Sequence, residues 1–288
     1  MYKVAILGCE NGHANAFLKF VKEGKYPDIE IIGIYSDELE AAKKLNAEYG
    51  TPIMENYDSA VGIADGIMIT ARHGDNHFKY AKPYLASGIP MFIDKPITCT
   101  EEEAVEFMRE AKANNVRLCG GSSCALIPDT LELAESLKNG TYGELRGGCV
   151  VSALQMNSPY GGFYFYAEHL IDIMLKIFGE GVCTISAEQL EKSITFTARY
   201  DDFNVMGMYV DKTGYYRAVV CGTVTADARK IIFTDDAMIN EMDEMLHLLR
   251  GGEMGKSYES FIYPVFLMNT ILRAIDSGKP EQPNEIKI

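Results

Sequence analysis

The sequence has no long apolar run. Crossing a bilayer as a helix takes ~20 consecutive apolar residues, and no stretch of the 288 approaches that. The opening run in MYKVAILGCE is too short for a secretory signal and lacks a small-residue cleavage site. It reads as a strand, and the chain as a cytoplasmic protein with no membrane partner. Basic residues are also few. The 27 Lys and Arg face 41 Asp and Glu, a net charge of -14. Neutralising phosphates requires a basic face, so nucleic acid is not an expected partner. The acidic residues are scattered, as in DELEAA and EEEAVE, and read as solvated helix faces. The seven cysteines are odd in number and irregularly spaced. Only Cys119 and Cys124 are close, with no second pair to complete a zinc spacing. Free thiols in a reducing compartment, and no metal, are the expectation. There is no internal repeat and no low-complexity linker.

What is present is a rhythm of two periods. YKVAIL reads as a strand, and Ala14, Phe17, Leu18 and Val21 then recur at helical spacing. IEIIGIY, GIMIT, PMFID and VRLCGG are further apolar runs of the kind found in a parallel sheet covered on both faces. Helices are expected over ELEAAKKLNAEYG, ending on Gly50, and over TEEEAVEFMREAKANN, where Thr100 and Glu103 form a capping box. Pro83 in HFKYAKPYLASG should kink or shorten another. Strand and helix alternating this often indicate a doubly wound α/β domain. After about residue 125 the rhythm changes. IPDTLELAESLKNG is a helix ended by Asn-Gly. Longer strands follow in ELRGGCVVSALQM, SITFTARYD, NVMGMYVD, YYRAVVCGTVTA and KIIFTD, with the helix YAEHLIDIMLKIFG after the first. MINEMDEMLHLLRGG and YESFIYPVFLMNTILRAIDSG close the chain as helices. Strands grouped with helices beside them suggest an α+β domain built on an antiparallel or mixed sheet. The expected division is 1–122 and 123–288, with the last helix able to pack back on the first domain.

The turn after the first strand, GCENGH, is the first candidate site. In a dinucleotide fingerprint the three glycines serve the turn, the close approach of pyrophosphate, and helix packing. Gly8 holds the first position, Glu10 the second and His13 the third, with Asn11 and Gly12 between. A carboxylate ~5 Å from a phosphate charge costs about 3 kcal/mol at an effective dielectric near 20. A helix N-terminus still offers N–H groups to an anion. The turn is therefore a working cofactor site, a degraded one, or an ordinary strand-to-helix turn. Ser36 and Asp37 follow the second strand, where an acidic residue binds the ribose hydroxyls of NAD. No Arg follows for a 2′-phosphate, which favours NAD over NADP. Thr70, Ala71, His73 and His77 lie in a polar loop after the third clear strand, at the end that faces ligand in open α/β sheets. Asp94 and Lys95 end the fourth strand, and Pro96 fixes the backbone beyond them.

These residues, in this order, resemble the glucose–fructose oxidoreductase/inositol dehydrogenase (Gfo/Idh/MocA) family. VAILGC matches its opening turn, TARHGDNH its loop ending in His at His77, and Asp94-Lys95-Pro96 its Glu-Lys-Pro. LKNGTYGELRG, EHLIDIMLKIFG and the closing helix match its second domain. The resemblance implies an N-terminal Rossmann domain and a C-terminal domain with an open, mostly antiparallel sheet. It implies oxidation or reduction, with NAD or NADP, of a hydroxyl on a sugar, cyclitol or related small molecule. It implies a homodimer or homotetramer. By this match Lys95 contacts both nicotinamide and substrate, and His169 supports proton transfer. The family's Asp four residues before that His falls on Phe165, a departure. Tyr164, Tyr166, Glu168 and Asp172 are the candidates to replace it, Tyr166 and Asp172 first by their spacing from His169. Two other classes stay open: a catalytically degenerate ligand-binding or regulatory protein, and a lyase or glycosidase using tightly bound NAD.

Overall fold

The computed structural model describes Met1–Ile288 and divides into two units. The first comprises Met1–Gly121, Met238–Phe261 and Ile288; the second comprises Ser122–Ala237 and Ile262–Lys287.

The first unit holds five parallel strands. They are β1 (Tyr2–Leu7), β2 (Ile29–Tyr35), β3 (Gly66–Ile69), β4 (Met91–Asp94) and β5 (Leu118–Gly121), in the order β2-β1-β3-β4-β5. All four residues of β3 and of β4 are buried, as expected of strands covered on both faces. Ile53 adds a single parallel bridge beside Ile34, an abbreviated sixth strand that the sequence did not disclose. The connecting helices are α1 (Gly12–Lys22), α2 (Leu39–Tyr49), α3 (Asp75–Leu85) and α4 (Glu101–Ala113). Gly50 caps α2 in the left-handed region, and the Thr100 hydroxyl accepts the Glu103 N–H at 3.2 Å to start α4. Pro83 marks the last turn of α3, which stops two residues later. The chain leaves β1 toward β2 on one side and later returns to β3 on the other. Such a reversal puts the ligand crevice at the carboxyl ends of β1 and β3.

Helix α7 (Asp235–Leu249) departs from the expected division. Its Met242, Met245, Leu248 and Leu249 join the core made by Val4, Ile6, Phe17, Phe20, Met68 and Phe92. The Tyr26 hydroxyl donates to Ile239 O at 3.0 Å, and Arg250 pairs with Asp28. Apolar burial, with polar contacts at the helix rim, is why residues 238–261 group with the first unit.

The second unit contains α5 (Pro128–Lys138), α6 (Tyr164–Phe178), most of α8 (Tyr258–Ser277), and a six-stranded sheet. Its strands are β6 (Leu145–Leu154), β7 (Thr184–Leu190), β8 (Ser193–Arg199), β9 (Asn204–Asp211), β10 (Tyr216–Gly222) and β11 (Ala226–Ile231), in the order β11-β10-β6-β9-β8-β7. Every pairing is antiparallel except β6 with β9. Strand β7 was not legible. It is an edge strand whose Glu188, Gln189 and Leu190 are exposed, so it lacks an apolar run. The expected YYRAVVCGTVTA strand is a hairpin arm and its turn, and β11 ends at Ile231 rather than running through KIIFTD. Along β9, Val205, Gly207 and Tyr209 face inward while Met206 and Met208 face out, the period of two expected of a half-buried strand. No helix is long and apolar enough to cross a membrane. All seven cysteines are free.

Candidate cofactor turn and proton-transfer residues

In the first unit, Gly8 turns the chain out of β1 with φ +80°, and a Cβ there would lie 2.3 Å from Ala71 Cα. Only glycine allows both the conformation and that approach. Thr70 locks the contact by donating its hydroxyl to Gly8 O at 3.0 Å. Asn11 is the N-cap of α1, yet its side chain makes no cap bond. Its amide donates instead to Asp94 Oδ2 at 2.5 Å. Gly12 opens the helix, with nothing within 4 Å of the position a Cβ would take, and the first turn carries no acid. The turn therefore presents uncapped N–H groups and open space to an anion.

Glu10 does not reach toward α1. Its oxygens accept from Ser36 Oγ at 2.6 Å and from the Arg72 N–H at 3.0 Å. The carboxylate ties the end of β2 to the loop after β3. Gly8, Gly12 and the α1 N-terminus fit a dinucleotide, with space and donors for its pyrophosphate, while the Ser36 hydroxyl is taken up by Glu10 and the Glu38 N–H.

Asp94 is fully buried and uses both oxygens. Oδ1 accepts the Lys95 N–H at 2.7 Å, and Oδ2 meets Asn11 and, at 3.2 Å, His13 Nδ1. Burial pushes the Asp94 carboxyl upward, but His13 and then Lys95 and His77 outweigh it and hold it below the usual range. Lys95 is 5% exposed, at the end of β4. His77 was expected in a ligand-facing loop. It lies in the first turn of α3, fully buried, with Nε2 2.8 Å from Ala71 O. Burial lowers its pKa, so the ring is neutral and Nε2–H donates to that carbonyl. It therefore holds the Ala71 loop. His73 stays partly exposed. Its Nδ1 accepts from the Asp75 N–H at 3.3 Å, and Asp75 and Cys99 bring donor atoms within 4.8 Å. Asp37 is bound by the Tyr35 hydroxyl at 2.6 Å and lies 3.3 Å from Lys79 Nζ. Its burial is overcome by Tyr35, Tyr80 and Lys79, which lower its pKa.

In the second unit, His169 on α6 is 8% exposed, and its Nδ1 lies 2.6 Å from Ser122 Oγ. Asp172, one turn on, accepts the Ser122 N–H at 2.8 Å, and Ser122 Oγ accepts from Cys124 N at 3.1 Å. When Nδ1–H donates to Ser122 Oγ, the Nε2 lone pair is left to take a proton. Tyr166 and Tyr216 place ring edges on the imidazole, with centroids 5.5 and 5.9 Å away. Phe165 packs between Tyr160 and Tyr166. Tyr164 donates its hydroxyl to Asn269 Oδ1 at 2.8 Å, and Glu168 is fully buried near Tyr209. Glu168 adjoins His169 in sequence, and adjacent helix positions point in different directions.

Residues 2–122 match the family model described as "Oxidoreductase family, NAD-binding Rossmann fold" (GFO_IDH_MocA). Over these residues the chain is similar to the Gfo/Idh/MocA oxidoreductases.

A curated relative, "Uncharacterized oxidoreductase YhhX" of Escherichia coli (strain K12), is 25% identical over 123 residues, 39% of this chain. The match spans 35% of that relative's length. Two solved structures share the whole-chain fold. A putative myo-inositol dehydrogenase from Sinorhizobium meliloti 1021 aligns with TM-score 0.85 and 16% identity, over 99% of this chain and 100% of that one. Scyllo-inositol dehydrogenase from Lactobacillus casei, with bound NAD(H) and scyllo-inositol, aligns with TM-score 0.85 and 14% identity, over 98% of this chain and 99% of that one. The Gfo/Idh/MocA match ends at the close of β5, and Ser122, just inside it, escaped the sequence reading. Its only signal was a polar residue at the carboxyl end of a buried strand. Nothing local marks Lys79 either. It reaches Asp37 from α3, so a cation does stand beside the expected ribose-binding position of this Gfo/Idh/MocA turn.

Proposed function

We propose that the chain is an NAD-dependent oxidoreductase acting on a CH–OH group of a cyclitol or other polyol. The observation that carries this reading is the opening turn: Gly8 pressed on Ala71, leading to an α1 N-terminus with open space at Gly12 and no acid in its first turn. NAD, when bound, supplies the hydride acceptor or donor. Gly8, Asn11, Gly12, Ser36 and Asp37 hold it in this reading. Lys95 stabilises the developing oxyanion as an ammonium. His169 Nε2 takes the hydroxyl proton, with Ser122 and Asp172 fixing the ring. In this reading the carboxylate missing at Phe165 is replaced by the Ser122 hydroxyl. The structural neighbour that holds NAD(H) and scyllo-inositol supports the substrate class. The free thiols support a cytoplasmic setting. The outward face of the second sheet, with Met206 53% exposed, supports a homo-oligomer.

Calorimetric titration with NADH and NADPH tests the cofactor. The expected result is tighter NADH binding, because the Asp37 carboxylate repels a 2′-phosphate. Tighter NADPH binding means that Lys79 decides the site. Binding of neither sinks the oxidoreductase reading in favour of a ligand-binding protein, the class that Glu10 and Phe165 suggest. Turnover is then measured with myo-inositol and scyllo-inositol.

Glu10→Gln should tighten NADH binding by on the order of tenfold, below the full Coulomb scale because water and salt screen the charge. Gln keeps an acceptor for Arg72 N, so the loop stays tied. Unchanged or weaker affinity in the same titration would show that the Glu10 charge does not oppose the pyrophosphate.

A further inference from the structure

His13 stands where the dinucleotide fingerprint has its third glycine. It is buried, with Nδ1 3.2 Å from Asp94 Oδ2 and Nε2 3.3 Å from Glu241 Oε2. Glu241 is a fully buried carboxylate on α7, 1% exposed, and no hydrogen-bond donor is aligned on either of its oxygens. The two contacts of His13 are likewise within ion-pair reach but poorly aligned as hydrogen bonds. Charge, rather than directional bonding, holds the set together. In a site this dry, an imidazole between two carboxylates is stabilised as a cation.

We propose that Glu241 is a positioning residue for the cofactor turn: it holds His13 as an imidazolium, and His13 with Asn11 pins the Asp94 carboxylate that fixes the Lys95 backbone. One carboxylate, Asp94, thereby ties the opening of α1 to the end of β4. The counter-charge on the far side of His13 comes from an element more than two hundred residues away in sequence. The assignment of the turn to NAD is taken from the proposed function; the charge network stands apart from it.

The groups facing this set are Lys95 and His77 near Asp94, and Glu244 and the Cys119 thiol near Glu241. Burial opposes the charged imidazole, but Asp94 and Glu241 overcome it and push the His13 pKa up to about 10. Burial raises Glu241 to about 7, with His13 pulling it back and Asp94 and Glu244 adding to the rise. Both pKa values lie above their ordinary ones, so both groups add stability at low pH. The Glu241 contribution is lost as pH rises through about 7, and that of His13 as pH rises through about 10.

The test is ¹⁵N-histidine NMR titration of the full chain, with the His13 signal identified by its loss in His13→Gln. In the wild type His13 should stay protonated well above pH 7. In Glu241→Gln its midpoint should fall by about one to three pH units, and Glu241→Asp should restore part of it. NADH affinity should fall several-fold in Glu241→Gln and recover in Glu241→Asp. A neutral His13 at pH 7 in the wild type overturns the proposal, and that measurement needs no variant to fold. A midpoint that does not move in folded Glu241→Gln overturns it as well. If the wild type binds no NADH, the oxidoreductase reading falls, while the titration still decides whether Glu241 holds His13 charged.

Discussion

Lys95→Met should lower turnover of a cyclitol substrate ~10²–10³-fold, the scale of losing one preorganised oxyanion donor. Methionine keeps the aliphatic stem and removes the charge. Lys95 is almost fully buried and helps hold the Asp94 carboxyl low, so removing its charge can act through the fold as well as through the chemistry. Thermal melting therefore separates the explanations: a Tm at or above that of the wild type, with lost turnover, places the effect in the chemistry. NADH affinity should change little, since the donors offered to pyrophosphate are at the α1 N-terminus. Wild-type turnover in Lys95→Met would remove Lys95 from the reacting centre.

His169→Asn should cost ~10²–10⁴-fold in turnover and abolish the acid limb of the pH–rate profile. The limb belongs to the imidazole, which must be neutral at Nε2 to accept a proton. Ser122→Ala leaves the base in place and removes the hydroxyl on Nδ1. It should lower turnover by less and shift the limb rather than erase it. The ring keeps the edges of Tyr166 and Tyr216 against it, so its place is held while its tautomer is not. An acid limb that survives His169→Asn would assign proton transfer to another group.

The legible parts of this molecule were those carried by local pattern. All five strands of the first sheet are apolar runs, and Gly8, Gly50 and Thr100 announce a turn, a helix end and a helix start through their own chemistry. Lys95 and His169 are singled out by their places in the order of motifs. What sequence could not disclose are partners brought from afar. Ser122 meets His169 across 47 positions, and Lys79 meets Asp37 across 42. Glu10 looked like a charge aimed at phosphate, because its two donors come from the ends of β2 and β3. His77 looked like a ligand-facing loop residue, because nothing local shows that α3 begins two residues earlier and turns the ring inward. Edge strand β7 lacked the hydrophobic contrast that marks a strand at all.

The first unit is not contiguous in the chain, and this has consequences for how it is made. Synthesis from the N-terminus delivers all five strands and α1 through α4 before α7 exists. Until residues 238–261 follow, the surface that Met242, Met245, Leu248 and Leu249 later cover has no lid. His13 and Asp94 meet without the second carboxylate, so the imidazolium has one neighbour fewer during that interval. The same geometry argues against cutting the protein where the family match stops, at residue 122. A fragment ended there keeps the cofactor turn in its sequence and loses the helix that seals the core beneath it.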